Sequence, residues 1–485
     1  MIFPEKVWYP SCCMKVPGSP GLECMKILNL IRRIPRSGFS LTPPTLFILS
    51  YVLAILVGGT MLKMPFSLET GRIISWIDAY YTATSALCVT GLTVVDTGST
   101  FSLAGELIIL GLIQLGGFGL MAFFALVFLW SGSRVSMQQV SFIRESYSQN
   151  LLQNARRILY VILAFTLALE LLGTLLLTFT WDHPLTLVQK IYYGLFHSIS
   201  AFNNAGFSLF PDNFIHYRHD ILLNLTITSL IILGGIGAPV IMDCWSYIHS
   251  PTRFRFSLHT KLAVTTTLVL IVGGTFSIWL IEKPGELYRI PLYEQLMTSY
   301  FHAVSARTAG FNTVDLSQFG TAPLMIIMLL MFIGASPGSC GGGIKTTSIA
   351  SLFVVLWNRL KGRDVNNVFK ATLPNDTVNR TVSIFILASI FIITILTGLL
   401  ISQVGELSHE QSGGLFIEYL FEAISAFGTV GLSLGATMKM NGIGKALIML
   451  TMLVGRVGLM TVVYLFISKE SPARYQFVEE NVMIG

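Results

Sequence analysis

The chain has 485 residues, 53% of them hydrophobic and only 12% charged, about half the charged share of an ordinary soluble domain. Its net charge of +6 sits in short loops between long apolar runs, which argues against both a soluble enzyme and a nucleic-acid-binding module. The runs cover 46–64, 107–130, 158–179, 222–242, 262–281, 324–333, 382–401 and 446–467. All but 324–333 approach or exceed the roughly 20 residues that a bilayer-spanning helix needs, so the sequence predicts an all-α integral membrane protein.

Residues 1–24 contain Pro, Gly and Cys but no basic segment feeding an apolar one, so they do not read as a signal peptide. They are expected to be disordered, and Met25 opens a stretch that reads more like the start of a membrane protein. A cytoplasmic tail, 1–40, then leads into four modules at 41–131, 150–248, 258–360 and 378–469, followed by a cytoplasmic tail, 470–485. Each module repeats one plan: a spanning helix, a half-length helix, a Gly-centred stretch and a second spanning helix. The half-length helices are predicted at 76–87, 189–202, 293–306 and 416–427, too short to cross a bilayer.

The Gly-centred stretches are Val89-Thr90-Gly91-Leu92-Thr93, Asn204-Ala205-Gly206-Phe207-Ser208, Thr308-Ala309-Gly310-Phe311-Asn312 and Thr429-Val430-Gly431-Leu432-Ser433. Their glycines lie 115, 104 and 121 residues apart, a period too long for a solenoid unit. The half-helices also resemble one another: His197-Ser198-Ile199-Ser200-Ala201, His302-Ala303-Val304-Ser305-Ala306 and Glu422-Ala423-Ile424-Ser425-Ala426. The third copy is one residue shorter between its Ser-Ala pair and its Gly, which predicts a different backbone path on that edge.

A second repeat lies in the outgoing runs. Leu115-Gly116-Gly117-Phe118-Gly119 matches Leu233-Gly234-Gly235-Ile236-Gly237 and Val454-Gly455-Arg456-Val457-Gly458. The third copy is opened into Ile333-Gly334-Ala335-Ser336-Pro337-Gly338-Ser339-Cys340-Gly341-Gly342-Gly343. The offsets from the stretch Gly to the first Gly of this set are 25, 28, 24 and 24 residues. They predict four glycine zones at one depth, about 36 Å along an uninterrupted helix and less if part is loop.

Four such modules around one axis make a pore. A cation crosses a bilayer when protein oxygens replace its hydration shell, and rings of backbone carbonyls do this. Irregular backbone at membrane depth is tolerated where it lines a cavity, and the half-helices aim their carbonyl ends, with their partial negative charge, into the membrane. Thr93, Ser208, Asn312 and Ser433 are placed to line or brace the outer end. Basic residues such as Arg134, Arg156, Arg157, Arg253, Arg359, Lys361, Arg380 and Lys469 gather on one side, which predicts both termini in the cytoplasm. The outer loops carry Asp96, Asp212, Asp315, Glu406 and Glu410, which would concentrate cations at the mouth.

With these motifs in register, the chain resembles the Trk/Ktr/HKT superfamily of potassium transporters, closest to the bacterial Ktr-type membrane subunit, over roughly residues 25–469. The resemblance implies four direct M1-P-M2 repeats, eight transmembrane helices plus four half-length pore helices around a pseudo-fourfold pore. It implies a homodimer with one pore per protomer in the bacterial inner membrane, on a cytosolic ring of RCK-type nucleotide-binding regulatory subunits. No GxGxxG segment is present, so nucleotide sensing would reside in that separate chain. Neither a cofactor in this chain nor a metal other than the transported K+ is expected. The filter glycines carry over to Gly91, Gly206, Gly310 and Gly431, and the filter would be Val89–Leu92, Asn204–Phe207, Thr308–Phe311 and Thr429–Leu432. A Ser in the first glycine position goes with sodium selectivity in plant relatives, so Gly91 favours potassium.

The loop 334–343, with Gly334, Pro337, Gly338, Gly341, Gly342 and Gly343, resembles the intramembrane gate of that family. Arg456, a lone guanidinium in an apolar run, is expected to project toward the axis and hold the loop closed, the alternative being an ion pair with Glu170. Arg307 is expected to brace the third stretch through an acid such as Glu294 or Glu422. His197 and His302 read as packing residues, and Cys88, Cys244 and Cys340 as buried thiols acting as small hydrophobes. The segment from Gly338 to Thr347 only faintly resembles a phosphate-binding loop, because Ile344 separates Gly343 from Lys345 and no strand precedes it. Within a cation pore, coupling to sodium or protons is the rival to channel-like conduction, and Glu170 is the acid placed to serve it.

Overall fold

A computed structural model of the chain describes residues 43–119, 155–181, 185–249, 255–282, 285, 290–403 and 409–466. The terminal tails, the three cysteines of the N-terminal segment, Glu406 and the basic residues of 120–154 lie outside the described residues.

Helix α1 (Pro43–Lys63) opens on a proline pair, which suits a first helical turn, and stops before Pro65. The half-helix α2 (Trp76–Leu87) follows, its N-terminus capped by the Ser75 hydroxyl, which accepts the Asp78 N–H at 3.1 Å. Helix α3 (Leu103–Phe118) completes the first module. The second contains α4 (Ala155–Thr178), half-helix α5 (Leu187–Phe202), α6 (Ile221–Gly235) and α7 (Ala238–His249). A capping box between Thr186 and Gln189 starts α5. The third contains α8 (Leu258–Glu282), half-helix α9 (Leu292–Ser305), α10 (Thr321–Phe332) and α11 (Thr346–Leu360). The fourth contains α12 (Asn375–Gln403), α13 (His409–Gly428), α14 (Gly442–Val457) and α15 (Leu459–Phe466). At 20 residues α13 starts earlier than the half-length helix expected at 416–427, so that only its C-terminal part corresponds to the other three half-helices. A two-stranded antiparallel hairpin, β1 (Asn367–Val368) and β2 (Ala371–Thr372), links the last two modules and departs from the all-α expectation.

The four incoming helices, Thr45–Lys63 of α1, Tyr160–Thr178 of α4, α8 and α12, are long and apolar enough to cross a bilayer. Their outward faces are apolar, as on α1, where Leu49, Leu53, Leu56 and Val57 are half exposed or more. Inward, small residues admit the half-helices: a Cβ on Gly59 would stand 2.2 Å from the Tyr80 ring, and one on Gly173 2.4 Å from Ser198 Oγ.

The outgoing helices correct the expectation of unbroken spans. Helix α3 ends where Gly119 takes φ +74°, α6 and α7 meet at 95° around Gly237 at φ +94°, and α14 ends at Gly458 with φ +92°. All three helices end at the glycine zone that the sequence expected to be broken in the third copy alone. The depth also differs. A Cβ on Gly116, Gly234 or Gly455 would stand 2.0, 1.7 or 2.1 Å from the carbonyl oxygens of Leu87, Phe202 and Phe427. The glycine zones therefore touch the C-terminal ends of the half-helices. The physical reason is chain reversal: each Gly-centred stretch runs away from its half-helix and the outgoing helix runs back beside it.

Candidate functional site

The four Gly-centred stretches leave the C-terminal ends of α2, α5, α9 and α13. In each, two residues take positive φ: Val89 and Gly91, Asn204 and Gly206, Thr308 and Gly310, Thr429 and Gly431. Extended chain sends successive carbonyls to opposite sides; alternating left-handed residues swing consecutive peptide planes to one side instead. Glycine takes this conformation without steric cost, whereas β-branched Val89, Thr308 and Thr429 are held there by their surroundings.

What holds them is the half-helix behind. The N–H groups of Thr90, Ala205, Ala309 and Val430 donate to the carbonyls of Ser85, Ser200, Ser305 and Ser425 at 2.8, 2.7, 2.9 and 2.8 Å. The Ser85 and Ser425 hydroxyls accept the N–H groups of Gly91 and Gly431, both at 3.1 Å. In the third stretch, one residue shorter, the Gly310 N–H donates to the Ser305 carbonyl at 3.3 Å, so that edge does follow a different path. The hydroxyls of Ser200, Ser305 and Ser425 donate to the carbonyls of Phe207, Phe311 and Leu432 at 2.8, 2.5 and 2.7 Å. Those three residues, assigned to the filter from sequence, turn their carbonyls back to the half-helix, while their side chains and that of Leu92 enter the core. These serines are what the sequence reading missed as anchors, although the recurring Ser-Ala pair was visible.

With most of the N–H groups spent backward, the carbonyls of Val89, Thr90, Gly91, Asn204, Ala205, Gly206, Thr308, Ala309, Gly310, Thr429, Val430 and Gly431 accept no hydrogen bond among the described residues. Buried carbonyls left so are costly unless another electropositive group meets them. The stretches also close on one another. A Cβ on Gly91 would stand 2.5 Å from Ala205 O, on Gly206 2.7 Å from Ala309 O, on Gly310 2.3 Å from Val430 O, and on Gly431 2.1 Å from Thr90 O. The order 91, 206, 310, 431 and back to 91 is a closed ring in chain order, and at each glycine the neighbouring carbonyl occupies the space a side chain would need.

Beyond the glycines, Ser208 and Asn312 brace their own loops. Ser208 Oγ accepts the Phe210 N–H at 3.0 Å and lies 3.1 Å from His197 Nε2, and Asn312 donates to the Val314 carbonyl at 3.1 Å. In the outer loop of the third module, burial alone would raise the Asp315 carboxyl, but hydrogen bonds from Ser317 and Gln318 hold it below the ordinary carboxylate value.

The interrupted segment after α10 lies against the half-helix ends of the ring. Gly334 N–H donates to Ile344 O at 2.9 Å, closing the segment into a loop. The Gly342 N–H donates to Thr429 Oγ1 at 2.9 Å, and Gly341 packs so closely on Thr308 that a Cβ would stand 2.4 Å from its hydroxyl. Gly343, at φ +65°, approaches Gly428. Toward the second module, Pro337 O abuts Gly237, Gly338 O accepts the Ala238 N–H at 2.9 Å, and Ser336 and Cys340 donate to the carbonyls of Gly235 and Gly234. Arg456 reaches from α14 to the carbonyl oxygens of Cys340 in the loop and Gly116 in α3. Loop and guanidinium together thus touch all four modules.

Several expected pairings are replaced. Glu170 does not meet Arg456: Gln114 donates to its two oxygens at 3.1 and 3.2 Å and Asn203 to one at 3.1 Å, because amides next to it offer N–H groups while carbonyls satisfy the guanidinium. Arg307 meets neither Glu294 nor Glu422 but donates to Thr267 Oγ1 at 3.3 Å. Glu294 pairs instead with Arg218 and His219, and Glu422 with Ser433 and Thr437. His197 and His302 are fully buried among aromatic rings, His197 stacking on Phe210 with centroids 5.1 Å apart. Of the described cysteines only Cys88 is buried; Cys340 is partly exposed and Cys244 is exposed on α7. No group of three or more His, Cys, Asp or Glu suited to a metal ion occurs among the described residues.

The sequence profile of the TrkH family, described as a cation transport protein, matches residues 44–476. The Ktr system potassium uptake protein B of Vibrio alginolyticus is 35% identical over 444 residues, covering 91% of this chain and 95% of that protein. Its namesake in Bacillus subtilis (strain 168) is 36% identical over 447 residues, covering 92% and 97%. Among solved structures, the potassium transporter TrkH from Vibrio parahaemolyticus superposes with a TM-score of 0.68 at 18% identity, covering 92% of this chain and 89% of that one, a likeness of fold.

Proposed function

This chain belongs to the TrkH family of cation transport proteins, and from that premise we propose that it is the potassium-conducting membrane subunit of a bacterial potassium uptake system. The observation that carries the reading is the closed ring of four stretches whose buried carbonyls have no donor. A dehydrated K+ at the axis supplies the missing partner: it is large enough to touch oxygens from all four stretches, and its weak hydration costs less to strip than that of smaller cations. Four direct M1-P-M2 repeats supply the ring, and Gly91 in the first position keeps it free of a side chain.

Cations enter from the acidic outer loops, pass the carbonyls, and meet the loop 334–343 at the half-helix ends. Arg456, bound to the Cys340 and Gly116 carbonyls, both pins that loop and places a fixed positive charge on the path. Conduction requires the loop to withdraw, and a cytosolic ring of RCK-type nucleotide-binding subunits supplies the work. The protein works as a homodimer in the inner membrane with both termini cytoplasmic. A second reading, a sodium- or proton-coupled symporter of the same fold, rests on Glu170, an acid 3% exposed within the spanning region.

The test is expression, with a cognate regulatory subunit, in a bacterium stripped of its potassium uptake systems. Growth on low-millimolar K+ is the expected result. Absence of K+ uptake by a chain that reaches the membrane beside its regulator overturns the proposal.

A further inference from the structure

Three residues before their anchoring serines the half-helices carry Thr82, His197, His302 and Glu422. Thr82 bonds back to the Asp78 carbonyl of its own helix and His302 packs against Phe301 and Phe319, whereas His197 and Glu422 reach the serine beyond the glycine of their own stretches. The second and fourth modules build a similar circuit from that position. In the second, His197 Nε2 lies 3.1 Å from Ser208 Oγ, which accepts the Phe210 N–H at 3.0 Å. In the fourth, Ser433 Oγ donates to Glu422 Oε1 and accepts the Gly435 N–H at 2.9 Å, while Thr437 Oγ1 donates to Oε2 at 2.7 Å. The eleven-residue spacing from the half-helix side chain to the serine and the serine's turn to the residue two further on repeat, while His197 also accepts the Leu209 N–H and Glu422 also accepts the Thr437 hydroxyl.

Glu422 is fully buried and forms no ion pair among the described residues. Both of its oxygens face hydroxyl donors, a setting that suits an acceptor-only carboxylate. The cationic side chains Arg307, Lys345 and Arg456 stand at the other end of the stretches, Arg307 preceding Thr308, Lys345 donating to the Gly341 carbonyl and Arg456 reaching the loop beneath. Charge is therefore segregated along the ring: carboxylate behind its outer end, guanidinium at its half-helix end. Glu422 itself is fully buried, so the field of that charge is screened less than that of a surface carboxylate.

We propose that Glu422 is a positioning residue for potassium binding: from behind Ser433 it lends the outer end of the ring the negative charge that sets its affinity for K+. This rests on the carbonyl-ring reading above. Ser425, on the same turn of α13, fixes the Gly431 N–H and the Leu432 carbonyl, so one helical turn supplies both the shape and the charge of the fourth stretch.

The experiment measures K+ uptake by the full-length chain with its regulatory subunit, comparing wild type with Glu422→Gln, Glu422→Asp and Glu422→His. The amide keeps the shape and both hydroxyl neighbours; the imidazole copies what the second module already uses. The neutral variants should raise the half-saturating K+ concentration by about tenfold, the effect of one fixed charge at a separation of about 12 Å and an effective dielectric of about 20. Their maximal rate should stay within about twofold, and Glu422→Asp should keep the wild-type half-saturation. An unchanged half-saturation, or a fall in maximal rate alone, assigns Glu422 a purely structural role and overturns the proposal. So does failure of both neutral variants to reach the membrane, which would make the acid a folding requirement. Loss of K+ uptake in the wild type itself would instead sink the ring reading.

Discussion

Replacing Gly431 by alanine tests the ring where it closes. The new Cβ would stand 2.1 Å from the Thr90 carbonyl oxygen and 3.0 Å from Gly91 Cα, on a residue at φ +96°. An L-residue in left-handed backbone costs about 1–2 kcal/mol. Restoring ordinary contact also requires that carbonyl to retreat by about 1 Å in an interior packed too tightly to yield freely. Sites of this kind work only when held within about 0.5 Å of productive geometry. The half-saturating K+ concentration should therefore rise at least about tenfold, the equivalent of about 1.4 kcal/mol, and preference for K+ over Na+ should fall by a similar factor. The other three glycines supply a ranking. Their alanine variants would face carbonyls at 2.3 Å for Gly310, 2.5 Å for Gly91 and 2.7 Å for Gly206, so severity should run 431, 310, 91, 206. Uptake of K+ in cells lacking other uptake systems, with and without competing Na+, measures all four. Wild-type affinity and selectivity in Gly431→Ala, or a ranking unrelated to these distances, would refute a ring of touching carbonyls.

Two further variants address the gate and the mechanism. Arg456→Gln gives up charged hydrogen bonds to the Cys340 and Gly116 carbonyls, each worth about 1.5–3 kcal/mol, so K+ uptake without the regulatory subunit should rise by tenfold or more. Shortening the loop within 338–343 should act in the same direction, and unchanged regulator-free flux in both would count against the gate. Glu170→Gln separates conduction from coupling. If conduction is channel-like, K+ uptake stays within about twofold of wild type at every Na+ concentration and pH; if Glu170 couples a second ion, that dependence disappears with the carboxylate.

The half-helix at 76–87 was legible to the residue because a capping serine, twelve helical residues and a glycine stretch all carry local signals. The quadruplicate glycines were legible for the same reason, since each position leaves no room for another residue. The breaks at Gly119 and Gly458 were not: the chain stays apolar through 107–130 and 446–467, so hydropathy runs on where the backbone turns. Positive φ at Val89, Thr308 and Thr429 left no trace either, because β-branched residues disfavour it and only the serine anchors and ring contacts impose it. The partners of Glu170 and Arg307 failed for a third reason. A charge in an apolar run advertises a need for polar partners, yet neutral amides and hydroxyls take that place here instead of an opposite charge.

The departures from fourfold symmetry fall where they can act. A ring needs four equivalent stretches, and the glycines, the anchoring serines and the outgoing breaks recur in nearly equivalent places. Among the described residues, the third module alone opens its outgoing helix into a loop that reaches stretches three and four; the fourth carries Arg456 in the place of Gly117 and Gly235, and its side chain spans from that loop to the first module. A glycine in that place could not bridge them, and an unbroken third helix would offer it no carbonyl. Each exception requires the other, so the loop and the guanidinium form one device, added to a scaffold whose repeated parts hold the ring in place.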